Sequence, residues 1–180
     1  SVIVYSQRCR EAYSEVNIVI GSIEASLRRI AHFDYWSEKV RRSVLLDARA
    51  DILLYGNAER AIVELTHRLA NGEEINDIKD IRGSAYLCST LPSSHQLVNE
   101  SLLAEDREQV VKLVGDERQE AVLLPSFEAV RDDKSLYAHA SRILHRETNP
   151  HNAKALVQAH GDRFVWLNPP PIPLSSEEMD

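Results

Sequence analysis

The sequence predicts an α/β fold in which a Rossmann-like, mostly parallel sheet is flanked by helices. Three observations support this class. Short apolar runs alternate with helical patterns through the first half of the chain, as they do in βαβ units. Two of these runs end in a glycine turn that opens a helix, at Gly21-Ser22 and at Gly56-Asn57. The chain has 180 residues, of which 43% are hydrophobic and 27% charged, so it can bury a core of domain size.

Three apolar runs of the first half predict strands, at 2–5, 17–20 and 51–56. Residues 8–15 are long enough for only a short crossover helix between the first two strands. Residues 43–46 fit either a brief strand or the end of a helix, and their periodicity does not decide between the two.

Two helices are predicted after the glycine turns. Ser22 is a suitable N-cap for the first helix, and Asn57 is a suitable N-cap for the second, which Asn71-Gly72 ends. Both helices carry apolar residues at helical spacing, so each has a face directed to a core. These residues are Ile23, Leu27 and Ile30 in the first helix and Ala58, Ile62, Leu65 and Leu69 in the second.

The second half predicts two more strands, at 121–124 and 164–167, and two amphipathic helices between them. Pro125-Ser126 opens the first of these helices. The second helix is marked by an apolar stripe consisting of Leu136, Ala140, Ile143 and Leu144.

A further helix is predicted over 150–160 from its punctuation. Asn149 suits the N-cap, Pro150 suits the first helical position, and Gly161 stands just past the end.

These patterns divide the chain into three segments. Residues 1–88 form an α/β sheet domain that is truncated at its start, and 89–120 form a linker or insertion that contains a charged amphipathic helix. Residues 121–180 form a helical and strand segment that leads, through the proline-rich run 169–173, toward a further domain. We therefore expect the chain to be part of a longer protein.

Composition argues against several classes of function. The apolar runs are too short to cross a bilayer and no charged-then-apolar leader opens the chain, which favours a cytoplasmic protein without membrane contact. The net charge of −7 argues against binding of nucleic acid by the whole surface. Cys9 and Cys88 are too few to hold a structural zinc ion or an iron–sulfur cluster by themselves.

Spacing alone predicts no catalytic residue and no metal ligand. The seven histidines include no His-x-x-x-His pair, and the chain has neither a Gly-x-Ser-x-Gly turn nor a Cys-x-x-Cys pair. Half-buried or surface histidines are the simpler interpretation.

The two glycine turns are candidates for ligand binding, because ligands of open α/β sheets lie beyond the carboxyl ends of the strands. Neither turn matches a dinucleotide or phosphate-binding motif, and a glycine that only permits a tight turn is the alternative. The candidate cofactor-binding residues are Gly21, Ser22, Glu24, Arg28, Arg29, Gly56 and Asn57.

Residues 28–42 are basic and aromatic in an otherwise acidic chain. Five lysines or arginines face two carboxylates there, and three aromatic residues are interleaved with them. This composition suits phosphate binding and base stacking, and hence RNA. The alternative is a solvated helix face with an aromatic core anchor.

Several segments resemble the N-terminal region of the YgiQ family of radical S-adenosylmethionine proteins. The matching residues cover most of the chain outside roughly 89–120 and are specific in combination. They are Tyr5-Ser6-Gln7-Arg8-Cys9, the residues 20–29 and 34–44, Leu124-Pro125-Ser126-Phe127-Glu128, the residues 137–145, His160-Gly161-Asp162-Arg163 with Trp166, Asn168-Pro169-Pro170, and Glu177-Glu178-Met179-Asp180.

The resemblance implies a parent protein in which this region precedes a radical S-adenosylmethionine barrel. In that barrel a Cys-x-x-x-Cys-x-x-Cys loop would hold a 4Fe-4S cluster that binds S-adenosylmethionine, and no such loop occurs in these 180 residues. The sequence departs from the family at Ser22, where a second glycine is usual. The region is also similar to cobalamin-binding modules, but their cobalt-ligating histidine would lie before Ser1, so cobalamin is not assigned.

Three functional hypotheses follow. The first is a non-catalytic accessory region that packs against the barrel of the same parent chain and shapes entry of an unknown substrate. The second is a cofactor- or nucleotide-binding module that uses the Gly21 and Gly56 turns with Arg28 and Arg29. The third is an RNA-interaction module that uses residues 28–42.

Overall fold

A computed structural model describes residues 1–99 and 119–179 of the chain. Helices and strands alternate through the first 70 residues, apart from one pair of consecutive strands, and occur in groups after that. In chain order the elements are α1 (Val2–Ala12), β1 (Val19–Ile20), α2 (Ser22–Leu27), β2 (His32–Asp34), β3 (Lys39–Arg41), α3 (Val44–Ala48), β4 (Ile52–Leu54), α4 (Glu59–Ala70), β5 (Ser84–Cys88), β6 (His95–Asn99), β7 (Gln119–Leu124), α5 (Phe127–Asp132), α6 (Lys134–Arg146), β8 (Ala155–His160), β9 (Arg163–Leu167) and α7 (Ser176–Met179).

Seven of the described strands form one sheet in the order β1-β4-β5-β9-β8-β7-β6. The pairs β1–β4, β6–β7 and β7–β8 are parallel, whereas β5 and β9 join these parallel blocks through antiparallel pairs. This arrangement confirms the predicted α/β class with a Rossmann-like sheet flanked by helices. It also places the carboxyl ends of β1, β4 and β9 at one edge of the sheet and those of β5, β6, β7 and β8 at the opposite edge.

Both faces of the sheet are covered, which the burial of β4 shows most directly. All three of its residues are at most 3% exposed. Leu53 packs into the core beneath α2 and α3, while Ile52 and Leu54 pack with α4 and the segment that follows it. A continuous apolar run is typical of a strand covered on both sides, so the predicted strand at 51–56 is confirmed.

The other strands and helices agree with prediction to different degrees. The strands predicted at 17–20, 121–124 and 164–167 are present as β1, β7 and β9, and the two amphipathic helices of the second half are α5 and α6. Ser126 is the N-cap of α5, and its side chain accepts a hydrogen bond from the Ala129 N–H. The sequence patterns predict no strand where β5 and β6 lie.

Residues 2–5 do not form the predicted strand. They form the start of α1, which also includes most of the predicted crossover helix at 8–15. Val2 and Ile3 pack, partly buried, against the core that includes the buried residues of α3. A four-residue apolar run has no period that separates a strand from a helix turn, so packing decides its conformation.

The predicted helix over 150–160 is wrong as well, although its starting signal is real. The Asn149 side chain accepts a hydrogen bond from the His151 N–H at 3.1 Å, and its carbonyl accepts one from the Ala153 N–H at 2.8 Å. The turn stops there, and β8 follows between β7 and β9. Gly161, with φ +63°, is a turn residue of the β8–β9 hairpin instead of a residue that ends a helix.

Caps differ from prediction at both glycine turns. Gly21 and not Ser22 is the N-cap of α2, and Ala58 and not Asn57 is the N-cap of α4. On α4 the side chain of Ile62 is 43% exposed, so the buried positions are Ala61 and Leu65.

Residues 28–42 do not form a helix. They contain the antiparallel hairpin β2–β3, followed by Ser43, which caps α3 by accepting a hydrogen bond from the Leu45 N–H. The ambiguous residues 43–46 therefore begin a helix. Trp36 lies in the turn of the hairpin and is 92% exposed, so it is not a core anchor.

The sheet takes strands from all three predicted segments, since β6 lies within 89–120. The helix predicted in that segment falls on residues outside the described ranges. The division of the chain at 88 and 120 stays a prediction.

Candidate functional site

The two glycine turns meet at one edge of the sheet. Gly21 follows β1 and Gly56 follows β4, and these strands are parallel neighbours. Ser26 on α2 links the turns, because its hydroxyl donates to the Ser22 carbonyl at 2.8 Å and accepts from the Gly56 N–H at 3.4 Å. A side chain at Gly21 would begin within 3.4 Å of the Leu54 carbonyl oxygen, so the chain passes close to β4 there.

Ser22 has a φ of +71°, in the left-handed region that favours glycine. Left-handed backbone costs a residue with a Cβ roughly 1–2 kcal/mol. A glycine at position 22 would avoid this conformational cost.

We expect Ser22→Gly to raise the melting temperature of the 180-residue chain by about 2–4 °C, which corresponds to about 1 kcal/mol. Relief of the left-handed strain exceeds the entropy that glycine gains in the unfolded chain. Ser22→Ala is the matched control, because it removes the hydroxyl and keeps the Cβ. Calorimetry that shows equal melting temperatures for the two variants would contradict the strain argument.

Glu24 and Arg28 pair with each other. Their side chains form an ion pair at 3.0 Å, and the second oxygen of Glu24 accepts the Val2 N–H at 3.2 Å. The pair therefore joins α2 to the start of α1. Asn57 is exposed and makes no capping hydrogen bond.

The Arg29 side chain folds onto Ser26 and Tyr55, next to the Gly56 turn. Its Nη1 donates to the Ser26 carbonyl, and its guanidinium carbon lies 4.8 Å from the centre of the Tyr55 ring, in cation–π geometry. Its Nε is buried and has no hydrogen-bond partner among the described residues. Burial lowers the pKa of Arg29, and the nearby Tyr55 opposes that shift. The side chain nevertheless remains a cation at neutral pH.

A cavity of about 230 Å³ opens beside Arg29 at this edge. Arg29 and Gly56 are the sequence candidates that line it, and Gly21, Ser22, Glu24, Arg28 and Asn57 do not. The full lining is Ser26, Arg29, Tyr55, Gly56, Leu144, Glu147, Thr148, Lys154, Leu156, Leu167, Asn168, Pro170 and Pro171.

A buried hydrogen bond joins Tyr55 and Asn168, which both line the cavity. The Tyr55 hydroxyl donates to the Asn168 carbonyl, and burial raises the pKa of Tyr55 to about 12. Pro171 lies against the turns, since a Cβ at Gly56 would be 3.1 Å from its Cγ and a Cβ at Gly83 would be 2.9 Å from its Cδ. The proline-rich run is thus a wall of the site and packs against the sheet.

Sequence reasoning missed Tyr55, Asn168 and the prolines as parts of the site. A usable signal was present for Tyr55, which directly precedes a candidate glycine at the end of a strand. No local pattern indicates that residues 168–171 return to the same edge.

A second cavity, of about 790 Å³, lies at the opposite edge of the sheet. His160 ends β8 there; it is 5% exposed and neither ring nitrogen has a partner among the described residues. Its ring stacks on Phe127 with centroids 5.4 Å apart. Burial lowers the pKa of His160 to about 4, so the ring is neutral at pH 7.

The described residues do not fit a metal centre or an iron–sulfur cluster. Cys9 is exposed on α1 and Cys88 is half-buried in β5. Within residues 1–99 and 119–179, no three side chains of the metal-ligating types are grouped. Over the same ranges, every helix is too short or too polar to cross a membrane.

Fold and site together define an α/β module with a ligand-sized cavity beside the carboxyl end of β4. A family model described as "Radical SAM N-terminal" matches residues 1–180, so the chain belongs to this family. The resemblance to YgiQ proteins is thereby confirmed.

The curated relatives are named UPF0313 proteins. The chain is 53% identical over 205 residues to a UPF0313 protein of Vibrio cholerae and 58% identical over 178 residues to one of Rhodopseudomonas palustris, and both alignments cover 99% of the chain. A UPF0313 protein of Pseudomonas aeruginosa is 49% identical over 214 residues. The chain spans about a quarter of the length of these relatives. No solved structure matches it.

Proposed function

We propose that residues 1–180 form a non-catalytic accessory module of a larger radical S-adenosylmethionine protein and pack against its barrel. Family membership and the share of the relatives' length that the chain spans support this proposal. A cytoplasmic location is part of the proposal and rests on composition.

The observation that carries the proposal is the exposed aromatic turn of the β2–β3 hairpin. Trp36 is 92% exposed and Tyr35 is 80% exposed, with their rings edge to face at 6.5 Å. The hairpin is held in place, because the Phe33 N–H donates to the Tyr137 hydroxyl on α6 at 3.0 Å. Aromatic side chains held out from a fixed support are typical of protein interfaces.

Helix α2, which precedes the hairpin, adds apolar surface. Ile23 is 78% exposed and Leu27 is 70% exposed, so the helix turns part of its apolar stripe to solvent. We assign these side chains and the hairpin turn to contact with the remainder of the same polypeptide. About three quarters of each relative lies outside the match and provides a partner of sufficient size.

The 4Fe-4S cluster and S-adenosylmethionine belong, in this proposal, to the barrel of the parent. When bound there, the cluster would supply the electron that cleaves S-adenosylmethionine. The described residues of this module have no thiolate set for the cluster, so their role is to cover and position, and they do not take part in the redox chemistry.

The RNA hypothesis receives less support. Arg28, Arg41 and Arg42 each form an ion pair with a carboxylate of their own region, at 3.0, 2.8 and 2.6 Å. Arg29 is turned inward. Few of the basic side chains of 28–42 are therefore free to neutralise phosphates.

Contact between the hairpin turn and the rest of the parent polypeptide should protect Trp36 from solvent in the complete protein. We expect hydroxyl-radical footprinting of the full-length parent to oxidise Trp36 no more than it oxidises Trp166, which is 1% exposed. In the isolated 180-residue chain, Trp36 should be oxidised readily while Trp166 stays protected. Mass spectrometry of the two samples gives both residues at once, so Trp166 is an internal control.

A mutation extends this test. Trp36→Ala should leave the melting temperature of the isolated chain unchanged, because the exposed Trp36 side chain buries little surface there. The same change should lower the melting temperature of the module in the parent protein. Equal oxidation of Trp36 in the two samples would overturn the docking surface.

A further inference from the structure

The Arg29 guanidinium faces its cavity without a carboxylate partner. Within the described ranges no carboxylate lies at ion-pair distance from it, while the other charged groups of the lining are engaged. Lys154 pairs with Glu120 at 2.5 Å, and Glu147 accepts the Lys154 N–H at 2.8 Å. Buried or half-buried charges are ordinarily paired, so the uncompensated cation favours an anionic ligand.

One edge of this guanidinium has no protein partner. Nη1 is bonded to the Ser26 carbonyl, whereas Nε and Nη2 make no hydrogen bond within the described part of the chain. Nε is buried and out of reach of a ligand, whereas Nη2 offers N–H groups to which a carboxylate can accept charge-assisted hydrogen bonds.

The guanidinium is fixed before any ligand arrives. The Tyr55 ring stacks against it, and the Tyr55 hydroxyl is itself bonded to the Asn168 carbonyl. The Arg29 carbonyl accepts a hydrogen bond from the Ser43 hydroxyl at 2.7 Å, which fixes its backbone. Fixing both ends reduces the entropy lost when a ligand binds.

Size and lining restrict the ligand further. The cavity of about 230 Å³ is smaller than the 300–1,000 Å³ of sites for drug-sized molecules, which disfavours a nucleotide. Beyond the charged groups, its walls are largely apolar and comprise Leu144, Leu156, Leu167, Pro170 and Pro171.

We propose that this cavity binds a small organic monocarboxylate with an apolar body, whose carboxylate pairs with Nη2 of Arg29. One uncompensated guanidinium balances one negative charge, and the leucine and proline walls contact the hydrocarbon part. The inference is independent of how the module docks, because neither Trp36 nor Tyr35 lines this cavity.

Binding of an acid and of its amide separates this proposal from nonspecific apolar binding. The probes are isovalerate with isovaleramide, and benzoate with benzamide, titrated calorimetrically into the full-length protein. In each pair the two molecules have nearly the same shape and only the acid carries a charge. We expect at least one acid to bind about tenfold more tightly than its amide, since hydrogen bonds to charged groups are the stronger ones.

Arg28 provides the matched control. Arg28→Ala removes the same charge from the neighbouring position outside the cavity and should leave acid binding unchanged, whereas Arg29→Ala should reduce it about tenfold or more. Arg29→Lys should bind the acid more weakly than the native protein, because an ammonium group does not reproduce the planar guanidinium that stacks on Tyr55.

Equal affinities for acid and amide would overturn the proposal, and so would equal binding by the two alanine variants. Absence of binding by both acids at millimolar concentration would do the same. If Arg29→Ala does not fold, the comparison of acid with amide on the unmodified protein still decides. The footprint of Trp36 is read separately, so failure of one proposal is distinguishable from failure of the other.

Discussion

Asn168→Asp is expected to destabilise the fold by about 3 kcal/mol, although the two side chains have the same shape. The Asn168 Nδ2 donates to the carbonyls of Lys79 and Ile81 at 2.8 and 3.1 Å and to the Ser84 hydroxyl oxygen at 2.9 Å. An ionised carboxylate cannot donate, so it would face these acceptors as a buried charge. Asn168 is 8% exposed, which leaves water little room to compensate.

The large effect has a structural cause that reaches three parts of the chain. Asn168 Oδ1 accepts the indole N–H of Trp166 at 2.9 Å, and the Asn168 carbonyl accepts the Tyr55 hydroxyl. One residue therefore ties β9, the end of β4 and the segment before β5 together. The same network supports the cavity beside Arg29.

Urea unfolding of the 180-residue chain, followed by circular dichroism, measures the change. Asn57→Asp is the matched control, because Asn57 is exposed and caps nothing, and it should change stability by less than about 0.5 kcal/mol. The pKa of the new carboxyl at 168 should lie above about 3.9, its value in the unfolded chain. The folded state then binds more protons than the unfolded state above that pH, so the loss of stability should grow as pH rises through this range. A variant at 168 as stable as the variant at 57 would contradict the network.

The sequence predicts those elements whose own residue pattern is enough to specify a helix or a strand. The prediction fails where packing against distant residues determines the conformation. The run at 51–56 is apolar on both faces, and α6 has a regular stripe with Asp133 as its cap, so neither depends on distant residues. Residues 2–5 and 155–160 are short apolar runs that suit either state. The first becomes helical against α3, and the second pairs between two strands.

The candidate site was predicted in part for a similar reason. Gly21 and Gly56 follow parallel strands, and strand ends of parallel neighbours meet at one edge, so their proximity follows from local patterns. Local patterns do not predict that Arg29 points inward while Arg28 forms a half-buried ion pair with Glu24. The two arginines are adjacent in the turn after α2, and only the fold gives them different directions. The return of residues 168–171 depends on the long-range pairing of β9 with β5.

His160 should make the stability of the chain depend on pH between about 6.5 and 4. The ring is stacked on Phe127, and burial, the largest influence, lowers its pKa to about 4. The charged groups that act on it are Glu128 of α5, Asp47 of α3 and Arg42 before α3; the carboxylates raise its pKa and the arginine lowers it. Arg163 is the residue opposite His160 in the backbone register of the β8–β9 hairpin.

The sign of the effect follows from proton binding. Between pH 6.5 and about 4 the unfolded chain carries a proton on this histidine and the folded chain does not, so the unfolding free energy falls as pH falls. The part of the unfolding free energy that depends on a neutral His160 ring is fully present above pH 6.5 and is lost progressively down to about pH 4. At about 1.4 kcal/mol for each pH unit, the loss approaches about 3 kcal/mol.

His160→Met isolates this contribution. The methionine side chain is apolar and of similar length, so the variant should keep nearly constant stability over the window in which the native chain loses it. At pH 7 it should be at least as stable as the native chain, because two buried nitrogens without partners are removed. His151→Met, at an exposed turn residue, is the matched control and should retain the pH dependence of the native chain. Parallel pH profiles of urea unfolding for native chain and His160→Met would show that the dependence originates elsewhere, in His32 or His95, whose pKa values burial also lowers.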